Sequence, residues 1–197
     1  TIDEAPRYGI RWRMDSEFSN IRYYGRGPWE NYCDRKDGAM MSIYSCDVKD
    51  MYVPYVRPQE NGHRVDVQWL EILNDKGKGL VIYAMSGKEN SETEDNYFEF
   101  NTLHNSVEDF DCEESDAPYQ WNNFVENDPH DIGRARNVMK KQTHVSDISP
   151  RDFTEVCIDS RMTGVGGDNS WGAETYDKYK VLTSEPQRLV VKIVPVQ

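Results

Sequence analysis

Tyr8, Ile10, Trp12 and Met14 alternate with Gly9, Arg11 and Arg13, a period of two that predicts a strand with one face in the core. Val65, Val67 and Trp69 alternate in the same way with Arg64, Asp66 and Gln68. Leu70 and Ile72 then follow in the opposite phase, and a bulge near Trp69 and Leu70 accounts for the slip. Residues 80–85 form a short continuous apolar run. Val156 and Ile158 alternate, as do Tyr179 and Val181. Near the end, Leu189, Val191 and Ile193 share one face, with Val190 and Val194 beside Lys192 on the other. Short strands between Gly, Pro, Asn and Asp turns predict an antiparallel β-sandwich or barrel. Helical signals are few: Ser106 with Glu108 and Asp109 in the next turn, and residues 133–142 with Arg and Lys toward their end.

The chain has 197 residues, with 23 Lys plus Arg against 35 Asp plus Glu, a net charge of −12. This length fits one large domain or two small ones and buries about 70% of its unfolded surface without covalent help. The acidic balance argues against a general phosphate-binding surface and so against a nucleic-acid partner. The charge is uneven. Residues 89–131 hold 14 acidic side chains and no Lys or Arg, which reads as a solvated, partly irregular excursion. Asp109, Asp111, Glu113 and Glu114 crowd there, but the EF-hand glycine and final glutamate are missing, so calcium is not favoured. No run approaches 18 apolar residues, so no membrane span is expected. The start, Thr1-Ile2-Asp3-Glu4, is not a signal peptide and lacks Met, so the chain reads as part of something longer. The compartment, cytoplasmic or periplasmic, stays open. Cys33, Cys46, Cys112 and Cys157 form no C-x-x-C pair, so free thiols are favoured; spacing leaves a Cys33–Cys46 bridge open.

The densest glycine signal is the stretch 164–172, GVGGDNSWG. It is not a dinucleotide fingerprint, because the third glycine would fall at Asn169 and no βαβ unit follows. What remains is a tight loop that presents Trp171, whose indole can stack on a sugar while its N–H donates. The alternative is that Trp171 plugs one end of the sandwich. His63, His104, His130 and His144 share no metal-ligand spacing, and no G-x-S-x-G elbow exists. The carboxylates single out no acid/base pair. Residues 24–32 and 52–62 pack turn formers between aromatics, and their prolines assign them to edges, corners or loops. Arg26, Glu30, Arg57 and Glu60 are expected to form paired, partly buried clusters that fix those loops.

Three stretches, YGRGPWENYCDRKDGA, MYVPYVRPQENGHRVDVQWL and GVGGDNSWG, in this order, resemble the C-terminal "small-chain" domain of glycoside hydrolase family 2 β-galactosidases. The resemblance covers roughly residues 21–115 and 145–182. It implies an all-β antiparallel sandwich of the galactose-mutarotase-like type. It also implies that catalysis by a retaining hydrolase of terminal β-D-galactosides sits in a separate (β/α)8 barrel with its own two glutamates. No catalytic residue is then expected in this chain, which should be inactive alone. By the resemblance, Trp171 reaches the active-site mouth to position substrate, and Gly166, Gly167, Asp168 and Asn169 shape its loop. No cofactor is implied on this chain; Mg or Na ions of the parent would bind elsewhere. The implied partners are the barrel domain and a galactoside, with a homo-oligomer possible and no nucleic acid or membrane.

Three departures accompany the resemblance. Cys33 stands where the family usually has proline after Asn-Tyr. Residues of about 116–144 look like an insertion, so residues 1–197 read as one unit with an acidic insertion at about 89–144. The family domain is longer than 197 residues, so the sandwich is expected to be truncated on its N-terminal side, with uncovered apolar edges that favour association. Two other readings stay open: a stand-alone carbohydrate-binding module, and an aldose-1-epimerase-like enzyme on a related fold.

Overall fold

The computed structural model describes residues 3–56, 59–86, 97–110, 145–166 and 174–197. Among the described residues, eleven strands run in chain order: β1 (Glu4–Ala5), β2 (Arg7–Met14), β3 (Asn20–Gly27), β4 (Met40–Asp47), β5 (Arg64–Val67), β6 (Trp69–Leu73), β7 (Gly79–Ala84), β8 (Phe98–Leu103), β9 (Thr154–Met162), β10 (Val181–Leu182) and β11 (Val191–Val196). One sheet has the order β11-β7-β6-β3-β4, a second the order β2-β9-β8-β5, and β1 pairs with β10. Every pairing is antiparallel. The helical turns among the described residues are short 3-10 turns such as Val48–Met51 and Asp177–Tyr179. The chain is therefore an all-β sandwich, as the period-two pattern predicts.

The core lies between the two larger sheets. Ile21, Tyr23, Leu70, Ile72 and Ile82 meet Val67, Phe98, Phe100, Val156 and Ile158, with Val48 and Met51 closing one side. Each such side chain contributes about 1.5–3 kcal/mol by leaving water. The sheets approach closely at Gly25. A Cβ there would lie 2.7 Å from Val67 Cγ2, so the small residue sets the approach.

Several patterns fold differently from what the sequence predicts. The phase slip at Trp69 is a corner, not a bulge. β5 belongs to the four-stranded sheet and β6 to the five-stranded one, and the chain crosses between them at Gln68. Each half keeps its own alternation because each faces the shared core from its own sheet. Tyr179 ends a 3-10 turn and only Val181 enters a strand. Residues 89–131 are not all a solvated excursion, because Phe98–Leu103 within them form β8, buried throughout between β9 and β5. Tyr8 to Met14 lie on β2 as predicted, but Tyr8 and Ile10 at its start are exposed, and only Trp12 and Met14 pack against the core. Residues 80–85 fall largely on β7, while Val191 and Ile193 lie opposite Ala84 and Ile82 on one face. Ser106 precedes a 3-10 turn, Val107–Asp109, and its N–H donates to Asp109 Oδ2 at 3.0 Å. Residues 133–142 lie outside the described residues. Cys33, Cys46 and Cys157 are free thiols, so no Cys33–Cys46 bridge exists.

Candidate functional site

β9 delivers the chain to Gly164, and the described residues resume at Glu174 ahead of β10. Both ends of this connection are fixed. Asp34 Oδ2 accepts the Gly166 backbone N–H at 2.7 Å and the Thr175 hydroxyl at 3.3 Å. Gly164 N–H donates to the Tyr179 carbonyl at 2.8 Å. A Cβ on Gly164 would sit 2.6 Å from Asp34 Oδ2 and 2.8 Å from Thr175 Oγ1, so only glycine permits this approach. Lys180 Nζ then gathers Glu174 at 2.6 Å, Glu4 at 3.3 Å and Asp177 at 3.6 Å. The hydrogen bond to Glu174 pushes Lys180 up, and the same bond holds Glu174 below the usual carboxylate range.

Asp34 belongs to the β3–β4 connection, which is itself knotted. Asn31 Nδ2 donates to the Arg26 carbonyl at 3.0 Å and the Trp29 carbonyl at 2.9 Å, and its Oδ1 accepts Val65 N–H at 3.0 Å. Glu30 accepts from Arg35 at 2.6 Å, from the Tyr55 hydroxyl and from Gly62 N–H at 2.9 Å. Asp66, at a positive φ of 55°, lies between Arg26 at 2.5 Å and Lys36 at 2.9 Å. The Cys33 thiol donates toward the Met162 carbonyl at 3.4 Å, tying this connection to the end of β9. A cleft of about 480 Å³ opens beside it, lined by Trp29, Asn31, Asp34 and Asp37 among others. Trp29 is 80% exposed on its rim.

Behind the clamp lies a buried polar network on the face of β8 away from the apolar core. Asn101 Nδ2 donates to the Asn61 carbonyl at 2.6 Å, which fixes Oδ1 as the acceptor for Arg7 at 2.9 Å and His63 Nδ1 at 2.7 Å. His63 Nε2 faces Glu99 Oε2 at 2.9 Å, and that oxygen also accepts Met162 N–H at 2.7 Å. Arg7 further pairs with Asp159 and Glu60. His63 is fully buried and its ring stacks on Tyr32 with centroids 5.2 Å apart. Each of these buried side chains bonds to another member of the cluster, so the network holds β2, β5, β8 and β9 together.

The family model described as beta galactosidase small chain matches residues 1–193. The chain belongs to this family. A β-galactosidase of Priestia megaterium is 32% identical over 179 residues, which covers 91% of this chain and 14% of that protein. The β-galactosidase BgaC of Bifidobacterium adolescentis is 28% identical over 193 residues, with 98% and 15% covered. A β-galactosidase of Streptococcus thermophilus is 26% identical over 194 residues, again with 98% and 15% covered. The chain thus spans about 15% of the length of these relatives.

Of the residues that the small-chain resemblance singles out, Gly166 is in the clamp, while Gly167, Asp168, Asn169 and Trp171 lie outside the described residues. The loop-fixing reading of Arg26, Glu30 and Glu60 holds, but their partners are Asp66, Arg35 and Arg7 rather than one another. Arg57 lies outside the described residues. Sequence reasoning missed Asp34, Asp66 and the His63 network. Only the NYCD and RVDV contexts mark the two aspartates, and nothing local marks an ion pair made across 30 or more positions. Asp109, from the acidic crowd, pairs with Arg151 at 2.5 Å, and Asp111, Glu113 and Glu114 lie outside the described residues. Among the described residues, no three His, Cys, Asp or Glu side chains converge to hold a metal, and no helix is long and apolar enough to cross a membrane.

Proposed function

We propose that residues 1–197 form the C-terminal sandwich portion of a β-galactosidase, a retaining hydrolase of terminal β-D-galactosides. In this reading the chain contributes scaffold and one substrate-positioning side chain, Trp171, on the loop with Gly166, Gly167, Asp168 and Asn169. The reacting carboxylates belong to a (β/α)8 barrel elsewhere in the parent, and any Mg or Na ion of the parent is bound outside this chain. The sandwich is of the galactose-mutarotase-like type, and the acidic insertion read at about residues 89–144 is confined to its parts outside the core strand β8 (Phe98–Leu103).

The observation that supports this reading is the Asp34 clamp. One carboxylate oxygen joins the motif at 24–34 to the far motif at 164–175 and anchors both ends of the Trp171 loop. A positioning residue needs such an anchor, because misplacing a substrate contact by about 1 Å costs up to about a hundredfold in rate. The test is Trp171→Ala in the full-length enzyme. Galactoside KM rises at least about tenfold with kcat changed less; a kcat loss at constant KM would rule out positioning. The isolated chain hydrolyses no lactose, and turnover by it would overturn the separate-barrel reading.

One observation favours a second reading, a carbohydrate-binding module. Trp29 stands exposed on the rim of a cleft that is large enough for a sugar and has Asn31, Asp34 and Asp37 in its lining. Calorimetry with galactose and lactose on the isolated chain separates the two. The enzyme-portion reading expects no affinity tighter than millimolar; the module reading expects binding that Trp29→Ala or Trp171→Ala abolishes.

A further inference from the structure

A second, larger cleft of about 590 Å³ lies where β9, the 3-10 turn Asp177–Tyr179 and the β3–β4 connection meet. Its charged lining is four cations, Arg26, Lys36, Arg161 and Lys178, against two carboxylates, Asp66 and Glu99. In a chain of net charge −12 this is a local inversion of sign. Both carboxylates are engaged. Asp66 lies between Arg26 and Lys36, and Glu99 accepts Met162 N–H while facing His63. The donors are not. Arg161 gives one N–H to the Lys178 carbonyl at 2.5 Å and pairs with no carboxylate among the described residues. The Lys178 ammonium lies 4.6 Å from the Tyr179 ring centroid and likewise has no carboxylate partner there. Tyr97 and Tyr179 also line the cleft, and no bond of either hydroxyl is made to a described side chain.

What the cleft offers a ligand is thus two cations without a carboxylate partner among the described residues, and two phenol groups, with its own carboxylates already engaged. We infer that this cleft binds a small ligand carrying a phosphate or carboxylate group, with Arg161 and Lys178 as the anion-binding pair. Guanidinium takes either anion through two parallel N–H bonds, and the ammonium adds a point charge. The tyrosine rings can take an attached hydrophobic or sugar body, for which the volume leaves room. The inference does not rest on the galactoside reading: its anion-binding pair, Arg161 and Lys178, has no part in the Asp34 clamp, and only Tyr179, whose carbonyl accepts Gly164 N–H, belongs to both.

The test is titration calorimetry on the intact protein at constant ionic strength, because exposed charge pairs weaken with salt. The probes are inorganic phosphate, acetate, a hexose 6-phosphate, a hexuronate and the neutral hexose. The phosphate pair binding more tightly than the carboxylate pair identifies a phosphate site; the reverse order identifies a carboxylate site. In either case Arg161→Gln weakens the preferred anion about tenfold, Lys178→Gln weakens it several-fold, and Arg22→Gln, outside the cleft lining, leaves it unchanged. Lys178 is exposed, so its variant keeps the test sharp even if Arg161→Gln folds poorly. No anion binding in the millimolar range, or binding that neither variant weakens, overturns the inference.

Discussion

Asp34 Oδ2 accepts the backbone N–H of Gly166 at 2.7 Å, joining two positions 132 residues apart in sequence. The same oxygen takes the Thr175 hydroxyl at 3.3 Å, so one carboxylate fixes both ends of the β9–β10 connection. Hydrogen bonds to a charged acceptor contribute about 1.5–3 kcal/mol. Asp34→Ala should therefore lower stability by about 2 kcal/mol in urea unfolding, while Asp34→Asn, which keeps an acceptor oxygen, should lose about half as much. If the connection positions substrate as proposed, Asp34→Ala in the full-length enzyme also raises galactoside KM.

Gly164→Ala tests the same clamp from its other side. The new Cβ would stand 2.6 Å from Asp34 Oδ2 and 2.8 Å from Thr175 Oγ1. Relieving that overlap moves the carboxylate off Gly166, at a cost of about 1–3 kcal/mol. Because both changes break one contact set, the double variant Gly164→Ala, Asp34→Ala should lose less than the sum of the two. Additive losses in the same unfolding assay would show that the two residues act independently.

The fold is legible because strand burial writes itself locally. Tyr8 to Met14, residues 80–84 and Val191 to Ile193 each carry the apolar pattern of a strand, and each lies on one. The corner at Gln68 reads as a bulge in sequence. Both produce the same one-residue phase slip, and only the partner strands tell them apart. The clamp is half legible. The glycines at 164 and 166 signal a tight loop, but Asp34 meets them only through tertiary folding. The His63 network is illegible for the same reason: in sequence Glu99 and Asn101 merge into the acidic, Asn-rich stretch 89–131, and nothing there marks a core strand. In the folded chain they are buried beneath Asn61, His63 and Arg7.

Arg7 holds that network together, bonding Asp159, Glu60 and Asn101 at once. Arg7→Met would leave Asp159 almost fully buried without its cation. Breaking such a pair from one side costs about 3–5 kcal/mol. The variant should lose that much in urea unfolding with an unchanged m-value, since the denatured chain is not altered. A loss below about 1 kcal/mol would mean that Asp159 finds another partner or water.

Cys33 gives the chain an alkaline signature. Burial pushes its thiol up from the ordinary 9.0 to about 11, with the nearby negative charges of Glu99 and Asp34 acting in the same direction. The folded state therefore holds the thiol proton more tightly than the unfolded chain does. This contribution to stability is fully present below pH 9 and is lost as pH rises through 11. A tenfold difference in proton affinity is equivalent to about 1.4 kcal/mol, but the thiol is only partly buried and solvent screens the effect to less than that scale implies. Wild-type protein should lose stability between pH 9 and 11 more steeply than Cys33→Ala, measured as urea midpoints. Alkylation of Cys33 by iodoacetamide should keep accelerating up to about pH 11, because only the thiolate reacts. A rate that levels off at pH 9, or identical alkaline slopes for the two proteins, would show that the Cys33 thiol ionises as freely as one in water.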